Sequence, residues 1–205
     1  VFKSLDEYTG EADVVVDFSH PASLSSILKY CKERNLPVIL ATTGFSAEQK
    51  EEFTAAAEEI PVFFSANMSL GINLLIELAK KAAKLLEGNF DIEIVEKHHN
   101  LKVDAPSGTA LALADSINEE FDNEYEYVYD RSQVRQKRTD KEIGISAVRG
   151  GTIVGDHDVI FAGEDEVITF SHRAYSKALF GKGAVQAAKF LKGKPAGRYD
   201  MKDVI

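Results

Sequence analysis

The sequence predicts an α/β protein of two domains, the first built on a parallel sheet and the second an α+β domain with a mixed sheet. Continuous apolar runs alternate with helical stretches up to about residue 64. Beyond residue 90, strand-like stretches follow one another with few helices between them. Parallel neighbours need crossover helices, whereas strands without them pair in antiparallel or mixed fashion.

The first domain begins with a β-α-β pattern. The β-branched run DVVVDFS starts at Asp13, a helical stretch covers residues 21–34, and PVILATTG follows. A second helical stretch, residues 46–59, starts with a serine cap and leads to PVFFSAN from Pro61. These runs do not alternate with polar residues, so we expect a parallel sheet covered by helices on both faces.

Small and polar residues follow the three predicted strands, at residues 17–20, 41–45 and 65–69. Ligands of open parallel sheets bind beyond the carboxyl ends of the strands. We therefore expect these loops to line one binding edge. The alternative is that each loop is an ordinary capped turn.

The next helix is predicted from its apolar spacing and ends near Gly88. Apolar residues recur at intervals of three and four, which predicts one face packed in the core. These residues are Leu70, Leu74, Leu75, Leu78, Ala82, Leu85 and Leu86.

The second domain is predicted to contain a strand at residues 90–96 and a helix at residues 107–118. Strand-like stretches follow at residues 125–129, 143–148, 158–161 and 167–172. A final helix from about Leu179 is expected to return to the first domain, with Ala184, Ala187, Ala188 and Leu191 at helical spacing.

Composition excludes several classes of function. The 205 residues are 44% hydrophobic, and 33 acidic against 24 basic residues give a net charge of −9. We expect no binding to nucleic acid or membranes, so an anionic ligand needs local positive groups. With one cysteine, Cys31, and no signal peptide or spanning apolar run, a cytoplasmic location is predicted.

Residues 98–109 concentrate the chemistry, directly after an apolar strand. His98, His99 and Lys102 precede Pro106-Ser107-Gly108-Thr109, a pattern typical of a helix start. Backbone N–H groups at a helix start bind carboxylate or phosphate. Histidine, with an ordinary pKa of about 6.5, exchanges protons near neutral pH. The pattern predicts a site where a small anion undergoes a proton-coupled reaction.

Each of these features also has a structural explanation. The PSGT segment is often only a cap, Lys102 is often merely exposed, and the histidines can be structural. A shared metal is not expected, because adjacent histidines on a strand point in opposite directions. The basic stretch 131–138 is predicted to be a solvated loop, with a lid over an anion as the alternative.

The string from Glu93 to Ala110, EIVEKHHNLKVDAPSGTA, resembles the signature of the 4-hydroxy-tetrahydrodipicolinate reductase family. DFSHP, ATTGF, SANMSLGIN, VRGGTIVGDH and FGKGAVQAA extend the resemblance over essentially the whole chain, in the expected order. It implies reduction of a cyclic dicarboxylate to tetrahydrodipicolinate by NADH or NADPH, in lysine and diaminopimelate biosynthesis.

The resemblance also implies the domain roles. A Rossmann-like nucleotide-binding domain, lacking its first β-α portion, is expected at residues 1–69 and 179–205. Residues 70–178 are expected to bind substrate and to form a homotetramer.

Roles for single residues follow from the same resemblance. His98 resembles the general acid and Lys102 the residue that assists it, while His99 resembles a substrate contact. Gly108 and Thr109 resemble the residues that bind a substrate carboxylate through backbone and hydroxyl groups. The expected nicotinamide contacts are Phe18, Ser19, Ala41, Thr42, Thr43, Ser65, Ala66, Asn67 and Met68.

The chain departs from the family pattern at its start, where no glycine-rich phosphate loop precedes Asp13. We expect that the sequence is trimmed, and the choice between NADH and NADPH stays open. Lys177 stands where the family often has arginine. Lysine keeps the positive charge but cannot make the two parallel hydrogen bonds of a guanidinium group. Two other classes remain alternatives, a non-catalytic nucleotide or metabolite sensor and a metal-dependent hydrolase using His98 and His99.

Overall fold

The computed structural model describes residues 1–133 and 135–205, which form two compact units. One unit comprises Val1–Leu70 and Ala178–Ile205, and the other comprises Gly71–Lys177. The nucleotide-binding and substrate-binding roles of these units stay predictions at this point.

The first unit contains a four-stranded sheet in which every neighbouring pair is parallel. Its order is β1-β2-β3-β9, with β1 at Val15–Asp17, β2 at Val38–Leu40, β3 at Pro61–Phe64 and β9 at Gly197–Tyr199. The parallel sheet confirms the prediction. Strand β9 was not predicted, because its three residues, GRY, form no apolar run.

Helices cover both faces of this sheet, as the uninterrupted apolar strands predict. The helices α1, Leu24–Glu33, and α2, Ala47–Ala56, pack on one face around the buried Phe53. Ser46 caps α2 in a capping box with Gln49. On the other face, the returning helix α5, Ala178–Leu191, packs with Phe63 and Met68.

The second unit contains a five-stranded sheet. Its strands are β4, Asp91–His98; β5, Glu126–Val128; β6, Glu142–Arg149; β7, Gly155–Ala162; and β8, Val167–Ala174. The strand order is β5-β6-β4-β7-β8. The central strand β4 runs parallel to β6 and antiparallel to β7, which confirms the predicted mixed sheet.

Two helices, α3 at Leu70–Leu86 and α4 at Gly108–Asn118, contribute to the core of the second unit. In β4, burial alternates from residue to residue, so that Ile92 and Ile94 enter this core. Short 3-10 helices occur at Leu5–Glu7, Pro21–Ser23, Glu119–Phe121, Arg131–Gln133 and Met201–Asp203.

The predicted core face of α3 is wrong for four of its seven residues. Leu70, Leu74, Leu78 and Leu85 are exposed, whereas Ile72, Leu75, Ala79 and Ala83 form the buried stripe. The helix is apolar on more than one side, so spacing alone does not choose between the stripes. Small side chains at Ala79 and Ala83 favour close packing in the core.

The basic stretch 131–138 is tied to the second sheet by ion pairs. Arg138 Nη1 lies 2.7 Å from Asp91 Oδ1, and Arg131 contacts Glu93 and Glu142. The solvated-loop prediction is therefore wrong for Arg138, whose side chain is largely buried, and holds for the exposed residues 135–137. Val134, within this stretch, lies outside the described residues.

Within the two described ranges, no helix combines the length and the apolar character needed to cross a bilayer.

Candidate active site

Strand β4 places two polar side chains at inward-facing positions, where buried apolar residues are expected. Glu96 and His98 continue the inward series of Ile92 and Ile94. Glu96 is fully buried and His98 is 8% exposed. Buried charges persist in proteins when they are paired and hydrogen-bonded, so the partners of these residues define the site.

Glu96 is paired on all sides. Its Oε2 lies 2.6 Å from His98 Nδ1, and its Oε1 accepts a 2.9 Å hydrogen bond from the backbone N–H of Ser107. Arg149 donates to both oxygens, at 2.8 and 2.7 Å, and also to the carbonyl oxygen of Asp104. Burial raises the pKa of Glu96, but the bonds from Arg149, His98 and Ser107 outweigh it and hold the pKa below its usual value.

The two ring nitrogens of His98 have different surroundings. Nδ1 faces Glu96, whereas Nε2 lies beside Gly155, where an added Cβ would come within 3.0 Å of it. Among the described residues, none forms a hydrogen bond with Nε2. This leaves Nε2 as the ring nitrogen available to hydrogen-bond with a ligand.

The start of α4 is held next to this histidine through the same carboxylate. Ser107, whose N–H binds Glu96, caps α4 by accepting a 3.1 Å bond from Ala110 N–H. Gly108 and Thr109 are the first two residues of the helix. A helix start concentrates N–H donors and the positive end of the dipole, so this segment suits a carboxylate.

Lys102 lies in the turn that follows β4. Its Nζ is 2.8 Å from Asp104 Oδ1, and its N–H binds the carbonyl oxygen of His99 at 3.2 Å. The hydrogen bond from Lys102 holds the pKa of Asp104 below its ordinary value. His99 is half-buried, and within the described part its Nδ1 has no hydrogen-bond partner.

Four residues of this arrangement were not predicted from the sequence. Glu96 and Arg149 form the buried ion pair, Gly155 leaves room for the His98 ring, and His157 Nε2 lies 3.1 Å from Ser107 Oγ. A signal was available for Glu96, because an acidic residue at an inward strand position needs a buried partner. The other three lie in VRGGTIVGDH, where only strand pairing brings them to β4.

His157 makes the stability of the second unit depend on pH. Burial, followed by repulsion from His98, lowers its pKa from 6.5 to about 4. In the unfolded chain His157 binds a proton below about pH 6.5, whereas in the folded chain it does so only near pH 4. The contribution of neutral His157 to the free energy of unfolding is therefore fully present above pH 6.5 and is lost as the pH falls toward 4. We expect about 2–3 kcal/mol of this loss to come from His157.

Urea titrations of the wild type and His157→Gln between pH 7 and pH 4 measure this contribution. The variant should lose less stability across the window, because glutamine keeps an amide near Ser107 and does not titrate. Parallel stability curves for the two proteins would contradict the assignment.

In the first unit, the parallel registers place the ends of β1, β2 and β3 at one edge of the sheet. Ser19 N–H donates to Asp17 Oδ1 at 2.9 Å, and Phe18 beside it is 52% exposed. Thr42 is buried, and its Oγ1 has no hydrogen-bond partner within the described ranges. An unpartnered buried hydroxyl at this edge fits a polar ligand group.

The loop after β3 is braced internally. Ser65 Oγ donates to the carbonyl oxygen of Asn67 at 2.8 Å, and Asn67 Oδ1 accepts from Ser69 N–H at 2.9 Å. The Met68 side chain is buried in the core with α5, so any contact with a cofactor must come from its backbone. Ala66 lies between these residues, and Ala41 and Thr43 flank Thr42 in the loop after β2.

Over the described residues, no group of three or more His, Cys, Asp or Glu side chains is arranged to hold a metal ion.

A parallel sheet with polar loops at its carboxyl edge, and a second unit with a histidine beside a helix start, are typical of Rossmann-type oxidoreductases. The family description "Dihydrodipicolinate reductase, N-terminus" matches residues 1–68, and "Dihydrodipicolinate reductase, C-terminus" matches residues 71–205. The chain belongs to the dihydrodipicolinate reductase family. It is an oxidoreductase, as the resemblance implies.

Similar curated proteins carry the name 4-hydroxy-tetrahydrodipicolinate reductase. One from Caldanaerobacter subterraneus subsp. tengcongensis is 57% identical over 100% of this chain and 81% of its own length. One from Clostridium tetani is 53% identical over 98% of this chain and 78% of its own length.

Solved structures agree with these matches. Dipicolinate-bound dihydrodipicolinate reductase from Paenisporosarcina sp. TG-14 has a TM-score of 0.75 at 26% identity, covering 94% of this chain and 73% of that chain. A probable dehydrogenase from Thermotoga maritima, at 11% identity and a TM-score of 0.56, covers 96% of this chain and 74% of that chain and shares the fold.

Proposed function

We propose that residues 71–177 bind the dicarboxylate substrate and protonate it from His98, and that residues 1–70 and 178–205 hold NADH or NADPH. As a family member, the chain reduces 4-hydroxy-tetrahydrodipicolinate to tetrahydrodipicolinate in lysine and diaminopimelate biosynthesis. One observation carries the assignment of roles: Glu96 joins the His98 ring and the start of α4 in a single site.

His98 acts as the general acid in this account. Its imidazolium gives the Nε2 proton to the substrate ring, while the Nδ1 proton stays hydrogen-bonded to Glu96. Glu96 takes up no proton in the step, because its bonds with Arg149 favour the ionised form. Lys102 assists by adding a positive charge near the reacting dicarboxylate.

The start of α4 holds a substrate carboxylate. The N–H groups of Gly108 and Thr109 and the Thr109 hydroxyl supply hydrogen-bond donors, and the helix dipole favours negative charge there. His99, one residue beyond the acid, contacts the substrate and helps to orient it. Orientation against the reductant accounts for a large part of the rate in such reactions.

The nicotinamide is assigned to the loops that follow β1, β2 and β3. When bound, the cofactor supplies the hydride. The Thr42 hydroxyl, which has no partner among the residues that the structure describes, supports this assignment. Phe18 and Ser19 at the neighbouring strand end offer an apolar face and a polar group. NADH and NADPH are both accommodated by this proposal.

Binding of dipicolinate, the dicarboxylate named with the Paenisporosarcina neighbour, tests the substrate site without turnover. We expect calorimetry to detect binding to the wild type and a weakening of about 10- to 100-fold in Lys102→Met, because a charged hydrogen bond to the ligand is lost. Lys141→Met is the matched control, since Lys141 precedes β6 at the opposite end of the sheet and pairs with exposed Glu124.

Wild-type affinity for dipicolinate in Lys102→Met would contradict the assignment of Lys102. A similar loss in both variants would indicate attraction by net charge alone, which salt screens.

The assembly and location are proposed with the same function. A cytoplasmic homotetramer is expected, as in the family. Sedimentation velocity checks the assembly, and a mass of one chain at micromolar concentration would contradict it.

A further inference from the structure

We propose that Glu96 is a positioning residue that fixes the tautomer of His98 and, through Ser107, the position of the helix start that binds the substrate. This proposal rests on the proposed function and adds a residue that does not itself contact substrate. One side chain then couples the proton donor to the anion site.

The geometry gives Glu96 no freedom to move. Its two oxygens make four hydrogen bonds, to His98, to the Ser107 backbone and to two nitrogens of Arg149, all between 2.6 and 2.9 Å. Arg149 is held in turn by the carbonyl oxygen of Asp104 at 2.6 Å. Four bonds occupy the roughly four acceptor positions of this fully buried carboxylate, so it has none left for a substrate and acts through the groups that it holds.

The donors and acceptors of the bond between Glu96 and His98 determine the tautomer of His98. An ionised carboxylate has acceptors and no donor, so the proton of this bond must reside on His98 Nδ1. Neutral His98 therefore carries no proton on Nε2, and the imidazolium carries its second proton there. The nitrogen beside Gly155 is thus the one that gains and loses the proton during turnover.

The Ser107 bond extends the same constraint to α4. Ser107 N–H, which donates to Glu96 Oε1, belongs to the residue that caps the helix. A shift of the carboxylate would move both the imidazole and the first N–H groups of α4. Catalytic geometry requires such groups to stay within a fraction of an ångström of their productive positions.

The first test uses the wild-type chain labelled with ¹⁵N-histidine, with the His98 signals assigned by comparison with His98→Gln. At a pH where His98 is neutral, we expect a protonated Nδ1 and an unprotonated Nε2. A neutral ring protonated on Nε2 would overturn the proposal, and this result does not depend on whether a Glu96 variant folds.

The second test is Glu96→Gln, which keeps the shape of the side chain. The Ser107 amide and Arg149 Nη2, which both bond Glu96 Oε1, can only donate, so the glutamine oxygen should take that position. The NH₂ group should then face His98, and Arg149 Nη1 loses its acceptor on this side chain. We expect the ring to switch to protonated Nε2 and kcat to fall at least about 100-fold, with dipicolinate affinity kept within about threefold. Unchanged ring signals together with unchanged kcat would overturn the proposal.

Glu93→Gln is the matched control, because Glu93 lies on the same strand and also pairs with arginines, Arg131 and Arg138. It should leave the His98 ring signals as in the wild type. Failure of the proposed function is distinguishable: a wild-type chain that neither binds dipicolinate nor reduces the substrate removes the reductase role, whereas the ring signals still report whether Glu96 sets the tautomer.

Discussion

His98→Gln should lower kcat by about 100- to 1,000-fold, because the substrate ring loses its positioned proton donor. Glutamine fills similar space and can still hydrogen-bond with Glu96, so the fold and the pairing of Arg149 should be kept. The affinity for NADH or NADPH, measured by fluorescence titration, should change by less than about threefold, since the cofactor is assigned to the other unit.

His99→Gln provides the comparison. As a proposed substrate contact, His99 should affect KM more than kcat, so the two neighbouring histidines separate chemistry from binding. Wild-type turnover in His98→Gln would contradict the role of His98. Equal losses of kcat in both variants would contradict the division of roles between them.

Gly183→Ala should destabilise the first unit by about 3 kcal/mol, the second large effect that we expect. A Cβ at Gly183 in α5 would lie 1.7 Å from the carbonyl oxygen of Met68, a backbone atom that has no rotamer to adopt. Either α5 or the loop of Ser65–Met68 must shift. Urea denaturation measures the stability loss, and cofactor affinity should fall with it because this loop is assigned to the nicotinamide.

Gly181→Ala is the matched control in the same helix. Its added Cβ would meet no atom within 4 Å, so alanine should be neutral or stabilise by up to about 1 kcal/mol through helix propensity. Equal stability of the two variants would contradict the close approach of α5 to Met68.

Much of the fold follows from the sequence, because the apolar runs and helix caps that indicate single strands and helices agree with the tertiary structure. The uninterrupted apolar runs before Gly44 and Met68 predict buried parallel strands, and Ser46 and Ser107 mark the helix starts that the structure shows. Two features required tertiary information. The short strand β9 is recognised as a strand only by its pairing with β3. The helix α3 has more than one apolar side, and only its packing shows which side is buried in the core.

The site was predictable only where its residues are close in sequence. His98, Lys102 and the start of α4 lie within twelve positions, so one motif contains them. Arg149 lies 53 residues from Glu96, and His157 lies 50 residues from Ser107. Their convergence depends on the pairing of β4 with β6 and β7, which a linear pattern does not encode.

A crystal structure with bound dipicolinate would show whether the His98 ring and the start of α4 form one substrate site. We expect one carboxylate within hydrogen-bond distance of the Gly108 and Thr109 N–H groups, and the ligand ring next to His98 Nε2. Dipicolinate bound away from these groups, with His98 Nε2 facing solvent, would contradict it.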